Sequence, residues 1–264
     1  FGAGILMRIG FAVFAVLLPV AAAAQTDDRD YLTAFLEDSL SGAGRQVTVT
    51  GFSGALSSTA SLDELTIADD LGVWLRLKDV SLDWSRSALL SGKVIVNELS
   101  AKDIELVRIP QTDPATAKPE AKAFALPELP VSIDIGKISA EHISLGPTVL
   151  GQPLEASLEA SMTLAGGEAD ASLLLARSDT GPDGKIALTV RYTNADERLV
   201  IDLDANEAVG GIAATKLGLP DTPSVSLQIK GDGPLSDFTA DVALRTDAVD
   251  RLVGTVSLKA ADDD

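Results

Sequence analysis

The sequence predicts an all-β protein: a long antiparallel meander curled into an elongated open trough, taco-like or sandwich-like, preceded by a signal or anchor helix and one short amphipathic helix. Three observations predict it. From Arg45 onward apolar residues recur at every second position, the period of a strand with one buried face. Clusters of Gly, Pro, Asn and Asp interrupt these runs at hairpin spacing. Finally, 46% of the residues are hydrophobic but only 4% aromatic, so the apolar face is built from small aliphatic side chains.

Composition removes several function classes. The chain has 264 residues, no Cys and one His, and 21 basic against 39 acidic residues give 21 − 39 = −18. A surface of that sign repels phosphate backbones, which disfavours nucleic-acid binding. The missing cysteines exclude disulfides, thiol catalysis and Cys-ligated metals. One histidine cannot build a multi-His zinc site.

The elements follow in order. Residues 1–25 read as a signal peptide or inner-membrane anchor: Arg8 precedes the apolar run Ile9 to Ala24, which ends in Ala21-Ala22-Ala23-Ala24. The run has the length of a signal core, and reaches that of a membrane span if counted from Ile5. Both readings place the body beyond the inner membrane, anchored in it by a single pass or released into the periplasm. Residues 26–44 carry Tyr31, Leu32, Phe35, Leu36 and Leu40 at helical spacing after acidic residues, with Gly42 or Gly44 as the stop. Residues 45–109 form a first β-region. Residues 110–128, rich in Pro, Ala and Lys, form a flexible connector. Residues 129–264 continue as β-hairpins, and the abrupt finish at Asp262-Asp263-Asp264 reads as that of a fragment.

Alternation assigns the faces. Val73, Leu75 and Leu77 share one parity with Trp74, Arg76 and Lys78 opposite, whereas Val80, Leu82 and Trp84 lie on the other parity, which predicts a bulge near Lys78-Asp79. Leu154 and Leu158 oppose Glu155 and Glu159; Leu188 and Val190 oppose Thr189 and Arg191. Ile201, then Leu227 and Ile229, then Val242 and Leu244 continue the pattern. A short helix is predicted around Ala208 to Lys216. The candidate lining of an apolar groove is therefore Val73, Leu75, Leu77, Leu154, Leu158, Leu188, Val190, Ile201, Leu227, Ile229, Val242 and Leu244. An ordinary packed core is the competing reading for each of them.

No catalytic, cofactor or metal site is assigned. Gly51-Phe52-Ser53-Gly54 has its second Gly one residue too early for a nucleophile elbow and reads as a hairpin turn. Gly181-Pro182-Asp183-Gly184-Lys185 is too short for a phosphate loop. His142 lacks a second His, and Asp202 with Asp204 reads as a solvated polar face in preference to a calcium site.

Between Asp30 and Pro110 the order of motifs resembles a known family. Val47-Thr48-Val49-Thr50-Gly51-Phe52-Ser53-Gly54 follows the amphipathic helix. Asp69-Asp70-Leu71-Gly72-Val73-Trp74, Leu82-Asp83-Trp84 and Leu89-Leu90-Ser91-Gly92 come next, then Ile104 to Pro110. The succession is similar to the N-terminal region of TamB, the translocation and assembly module subunit of the AsmA-like group. The resemblance implies an elongated curled sheet that crosses the periplasm, anchored in the inner membrane by its N-terminus. It also implies two roles. One is outer-membrane protein assembly and secretion with a barrel partner, TamA, engaged through a C-terminal part this chain lacks. The other is conduction of phospholipids, their acyl chains lying along the groove. A lipid conduit and a scaffold that captures client strands at its edges are the two functions carried forward; a glycan-binding or hydrolytic β-protein is disfavoured for want of aromatic platforms and an acid/base pair.

Overall fold

The computed structural model describes residues 37, 41, 45–54, 57–110, 125–126 and 129–259. The signal or anchor segment, all of the amphipathic helix but Glu37 and Ser41, most of the 110–128 connector and the terminal aspartates lie outside them.

Twelve strands make one sheet in chain order. The first five are β1 (Gln46–Thr50), β2 (Thr59–Asp69), β3 (Gly72–Ser85), β4 (Lys93–Leu106) and β5 (Ser132–Leu145). The others are β6 (Leu154–Ala165), β7 (Glu168–Arg177), β8 (Gly184–Thr193), β9 (Arg198–Glu207), β10 (Val225–Pro234), β11 (Asp237–Thr246) and β12 (Val249–Lys259). Three short helical segments interrupt them: a 3-10 helix at Arg86–Ser91, α1 (Pro147–Leu150) and α2 (Ile212–Lys216). β1 and β12 do not pair with each other, so the sheet is open, with two edges.

Every neighbouring pair is antiparallel except β4 and β5, which run parallel from Lys93↔Ser132 to Leu106↔Leu145. Alternation cannot distinguish the two directions. The 25 residues between Leu106 and Ser132 are what permit this one: parallel neighbours need a crossover of about a dozen residues or more, whereas a hairpin needs two.

The long strands bend without losing their apolar face. In β5 the buried positions shift from Ile133 and Ile135 to Ala140, with Ile138 between them, and the register against β6 slips between Ile135 and Ile138 and again between Ala140 and Ile143. In β4 the register against β3 slips between Asp83 and Trp84. At the position predicted for a bulge, Asp79 adopts φ +48 and drops out of the pairing on both sides, yet Leu62↔Val80 and Glu64↔Lys78 keep one register. The break is thus shared by β2 and β3. The true slip in this pair lies between Ile67 and Ala68, where Trp74 is the extra residue.

Two buried clusters result. Trp84, Val94, Val96, Ile133, Ile135, Leu164 and Tyr192 pack with Leu126 from the connector. Val47, Val49, Ile67 and Trp74 form the other. Trp74, placed by simple alternation on the polar side, is buried because its bulge turns it inward with Leu75.

Candidate functional site

Directly paired residues on neighbouring strands project from the same face, so the register traces that face across the whole sheet. One row runs Leu62, Val80, Ala101, Ala140, Leu158, Leu175, Ile186, Ala205, Leu227, Leu244, Leu252. The next runs Ala60, Leu82, Leu99, Ile138, Ala160, Leu173, Leu188, Leu203, Ile229, Val242, Gly254. A third carries Val190 against Ile201, and a fourth links Ile67, Leu75, Leu106, Leu145 and Leu154, with Leu77 beside it paired to Leu65 and Ile104. All the residues assigned to the lining therefore share one face, except Val73. Val73 pairs with Ala68 beyond the Trp74 bulge, which turns it to the opposite side.

Alternation alone did not find Leu173 and Leu175. β7 reads Ser172-Leu173-Leu174-Leu175-Ala176, with no period to assign a face; only its pairing with β6 and β8 does so.

The aliphatic face is filled unevenly. In β1–β5 it is buried around the two tryptophans, at Val47, Val49 and Ile67 and at Val94, Val96, Ile133 and Ile135, while Leu62, Val80, Leu82, Leu99 and Ile138 between them are half-buried; Leu126 closes one margin. Leu126 N–H donates to Asn194 Oδ1 at 2.8 Å, and Asn194 Nδ2 donates back to the Leu126 carbonyl at 2.9 Å, fixing the connector to the β8–β9 turn. Along β7–β11 the middle rows are only half-buried: Leu173, Leu188, Leu203, Ile229 and Val242 all retain solvent contact. On β12 every residue is exposed, including Leu252, Val256 and Leu258 of this face. In β10 two glycines replace side chains. The Phe238 ring occupies the space a side chain on Gly231 would need.

The opposite margin carries a strap. Glu207 ends β9 on the aliphatic face, and its carboxylate accepts N–H bonds from Ile212 and Ala213, both 2.6 Å, which starts α2 over the sheet end. Ile212 and Ala214 are buried there. The strap reaches far: a Cβ on Gly210 would lie 3.7 Å from Pro182 Cγ of the β7–β8 turn, and one on Gly151, just after α1, would lie 3.2 Å from Lys216 Nζ. The connection after β9 thus folds back across the turns as far as β5–β6.

Beneath these turns lies an ion pair on the aliphatic side. Arg177, paired with Ala156, donates from Nε to Asp179 Oδ1 at 2.6 Å. This bond, with N–H bonds from Glu155 and Gly181, holds the Asp179 carboxyl at about 2 against the opposing effect of burial.

The other face is polar. Arg191 meets Asp170 at 2.8 Å, and Ser161 and Ser172 hydroxyls bond at 2.8 Å. Asp202 pairs with Lys230 at 3.0 Å, and Asp204 accepts from Gln228 at 2.8 Å and from Asn206. These aspartates are thus engaged by cross-strand donors on the polar face. His142 sits exposed in β5 opposite Asp103. Ser53 forms an isolated bridge to Ser61, with their hydroxyls 2.8 Å apart, in the turn geometry expected of the Gly51–Gly54 segment. Among the described residues no cluster of His, Asp and Glu is placed to hold a metal, and no helix is long and apolar enough to cross a membrane.

An open single sheet with one continuous aliphatic face and one charged face defines a β-trough. Residues 36–157 match the family model described as TamB, N-terminal domain. The chain therefore carries a TamB N-terminal region. Comparison with curated proteins and with solved structures returns no match.

Proposed function

We propose that this chain carries phospholipid acyl chains along its aliphatic face, as part of a periplasmic protein that spans from inner to outer membrane and supports outer-membrane protein assembly. One observation carries the reading: residues from eleven strands, β2 to β12, line up on one face of an open sheet, and along β7–β11 that face is left half-covered by the protein itself. Each methylene moved from water onto it gains about 0.8 kcal/mol, and an uninterrupted row gives a tail no reason to stop at any one position. No step of this requires a catalytic group, in keeping with a family of non-enzymatic assembly and transport proteins.

The test is lipid transfer between vesicles, with copurifying phospholipid measured by mass spectrometry. Leu188→Lys and Leu227→Lys place a charge in the middle rows and are expected to abolish both transfer and copurification while the sheet stays folded. Undiminished transfer by either folded variant excludes the conduit.

A second reading is favoured by the sheet edges. The N–H groups of Val47 and Val49 on the outer edge of β1 are capped by Ser41 Oγ at 3.0 Å and Glu37 Oε1 at 2.8 Å, whereas β12 is exposed along its whole length. A strand can add to such an edge by backbone pairing, whether from a client or from a further part of this protein. On this reading the barrel partner of the TamA type is engaged by a further part of the protein, and the two lysine variants leave assembly activity unchanged.

A further inference from the structure

The connection from β9 to β10 is far longer than the strands it joins require. Glu207 and Val225 are paired, so two residues suffice to turn the chain between them, as two do at β10–β11 and at β11–β12; instead 17 residues, 208–224, intervene. Connections longer than about 12–15 residues are uncommon, and ordered ones are usually functional, as lids or binding loops. This one returns over the aliphatic side. Glu207 projects from the same face as Ala205, and its carboxylate fixes the first turn of α2 there through the Ile212 and Ala213 N–H groups. Ile212 and Ala214 are buried, whereas Val209 and Leu217 on either side of α2 are exposed.

The strap is lightly held and strained. α2 has five residues, too few to be stable as a helix by itself, so it depends on the Glu207 cap and on two buried side chains. The loop then returns through Asp221 at φ +61 and Thr222 at φ +41. Thr222 is β-branched and precedes Pro223, and both features disfavour the left-handed conformation it adopts. Yet this residue shuts the base of the strap, its carbonyl accepting from the Gly210 N–H at 2.8 Å. Gly210 and Gly218, both at positive φ, bracket α2 and take up a rotation of it at little steric cost. The other margin has no such freedom: Leu126 is bonded twice to Asn194 and packs in the Trp84 cluster.

We propose that the 208–224 strap is a lateral lid on the trough: it lifts about Gly210 and Gly218, Ile212 and Ala214 leave the margin of the aliphatic face, and an acyl tail takes the apolar surface they covered. Release of the strain at Thr222 offsets part of the cost of exposing Ile212. This rests on the lipid reading of the trough and adds where a tail is admitted, from the side at the strapped margin, with its headgroup left in water. Tail and strap compete for one surface, so lipid opens the lid by mass action.

The experiment uses the full chain, vesicles of phosphatidylethanolamine and phosphatidylglycerol, and a diazirine-bearing phosphatidylethanolamine within them as the capture probe. Amide hydrogen exchange at Ile212 and Ala213 is expected to quicken about tenfold when the vesicles are added, while the Leu126 amide at the pinned margin is unchanged. Replacing residues 208–224 by Asn-Gly, which joins the paired Glu207 and Val225 directly, is expected to speed capture of the probe by about threefold to tenfold. Thr222→Asn, which installs a residue that accepts the left-handed region, is expected to slow both exchange and capture. The lid is overturned, and the trough left standing, by a wild type that captures the probe with unchanged exchange at Ile212 and Ala213, by a Thr222→Asn chain that matches it in both, or by a folded strapless chain that captures no faster. Capture by neither the wild type nor the strapless chain overturns the lipid reading itself.

Discussion

The two halves of the sheet present the same face with the same residue types and pack it differently. In β1–β5 the strands reach 14 residues, slip register at Trp74, Asp83/Trp84 and twice in β5, and bury part of their aliphatic side chains in two clusters, one around Trp74 and one around Trp84 with the pinned Leu126. In β7–β11 the strands have 10 residues, pair in unbroken register and leave the middle rows half-open. The middle rows are half-buried in both halves; the first half adds two tryptophan-centred clusters, and the second runs on to the exposed β12. Bulk explains the difference: two indoles and Leu126 anchor those clusters, while Leu, Ile, Val, Ala and two glycines line the rows of the second half.

Breaking the filled half has the largest expected effect. Trp84→Ala removes a buried indole and its Nε1 bond to the Ser57 carbonyl at 3.1 Å, and is expected to cost about 3–5 kcal/mol in urea unfolding. The matching truncation in the open half, Leu188→Ala, is expected to cost about 1 kcal/mol, because a side chain already in contact with water loses less when shortened. Equal losses at the two sites erase the distinction between core and trough.

The strapped margin of the second half carries a pH signature. The Asp179 carboxyl is held at about 2, below its ordinary 3.8, so its contribution is fully present above pH 4 and is lost as pH falls through 2. Thermal unfolding is expected to lose on the order of 1–2 kcal/mol across that window. Asp179→Asn flattens it; a wild-type profile that is already flat there removes the pair from the fold's energetics.

A smaller effect sharpens the contrast in strand bending. Asp79 takes φ +48 in the break shared by β2 and β3, a conformation that a β-branched residue resists. Asp79→Val is expected to cost about 1–2 kcal/mol and Asp79→Gly less than about 0.5 kcal/mol, read from the same urea titrations. No position inside β7–β11 offers such a pair of outcomes, since the left-handed non-glycine residues of that half, such as Glu197 and Asp247, lie in connections between strands.

Much of this was legible in the residues. Leu154 to Leu164 alternates so cleanly that strand, face and direction of burial follow from period two alone, and the motif order from Val47 to Pro110 carried the family. What lay beyond reach has one cause. Alternation reports parity within a strand and nothing about which parity faces inward after a bulge, so Trp74 and Val73 exchange sides, and Leu173-Leu174-Leu175 has no parity to read. It is equally silent about partners that arrive from far along the chain: the parallel pairing of β4 with β5, Leu126 on Asn194, and Lys216 beside Gly151.

The sequence by itself determined that this chain folds into long two-faced strands with an aliphatic side, because the pleat projects alternate residues to opposite faces whatever the neighbours are. Only the tertiary structure decided that the rows join into one surface, where that surface is filled and where it is open, and that Arg177 stands at its margin. Those depend on register and on contacts across tens of residues, and both are settled by packing between strands, which no local pattern encodes.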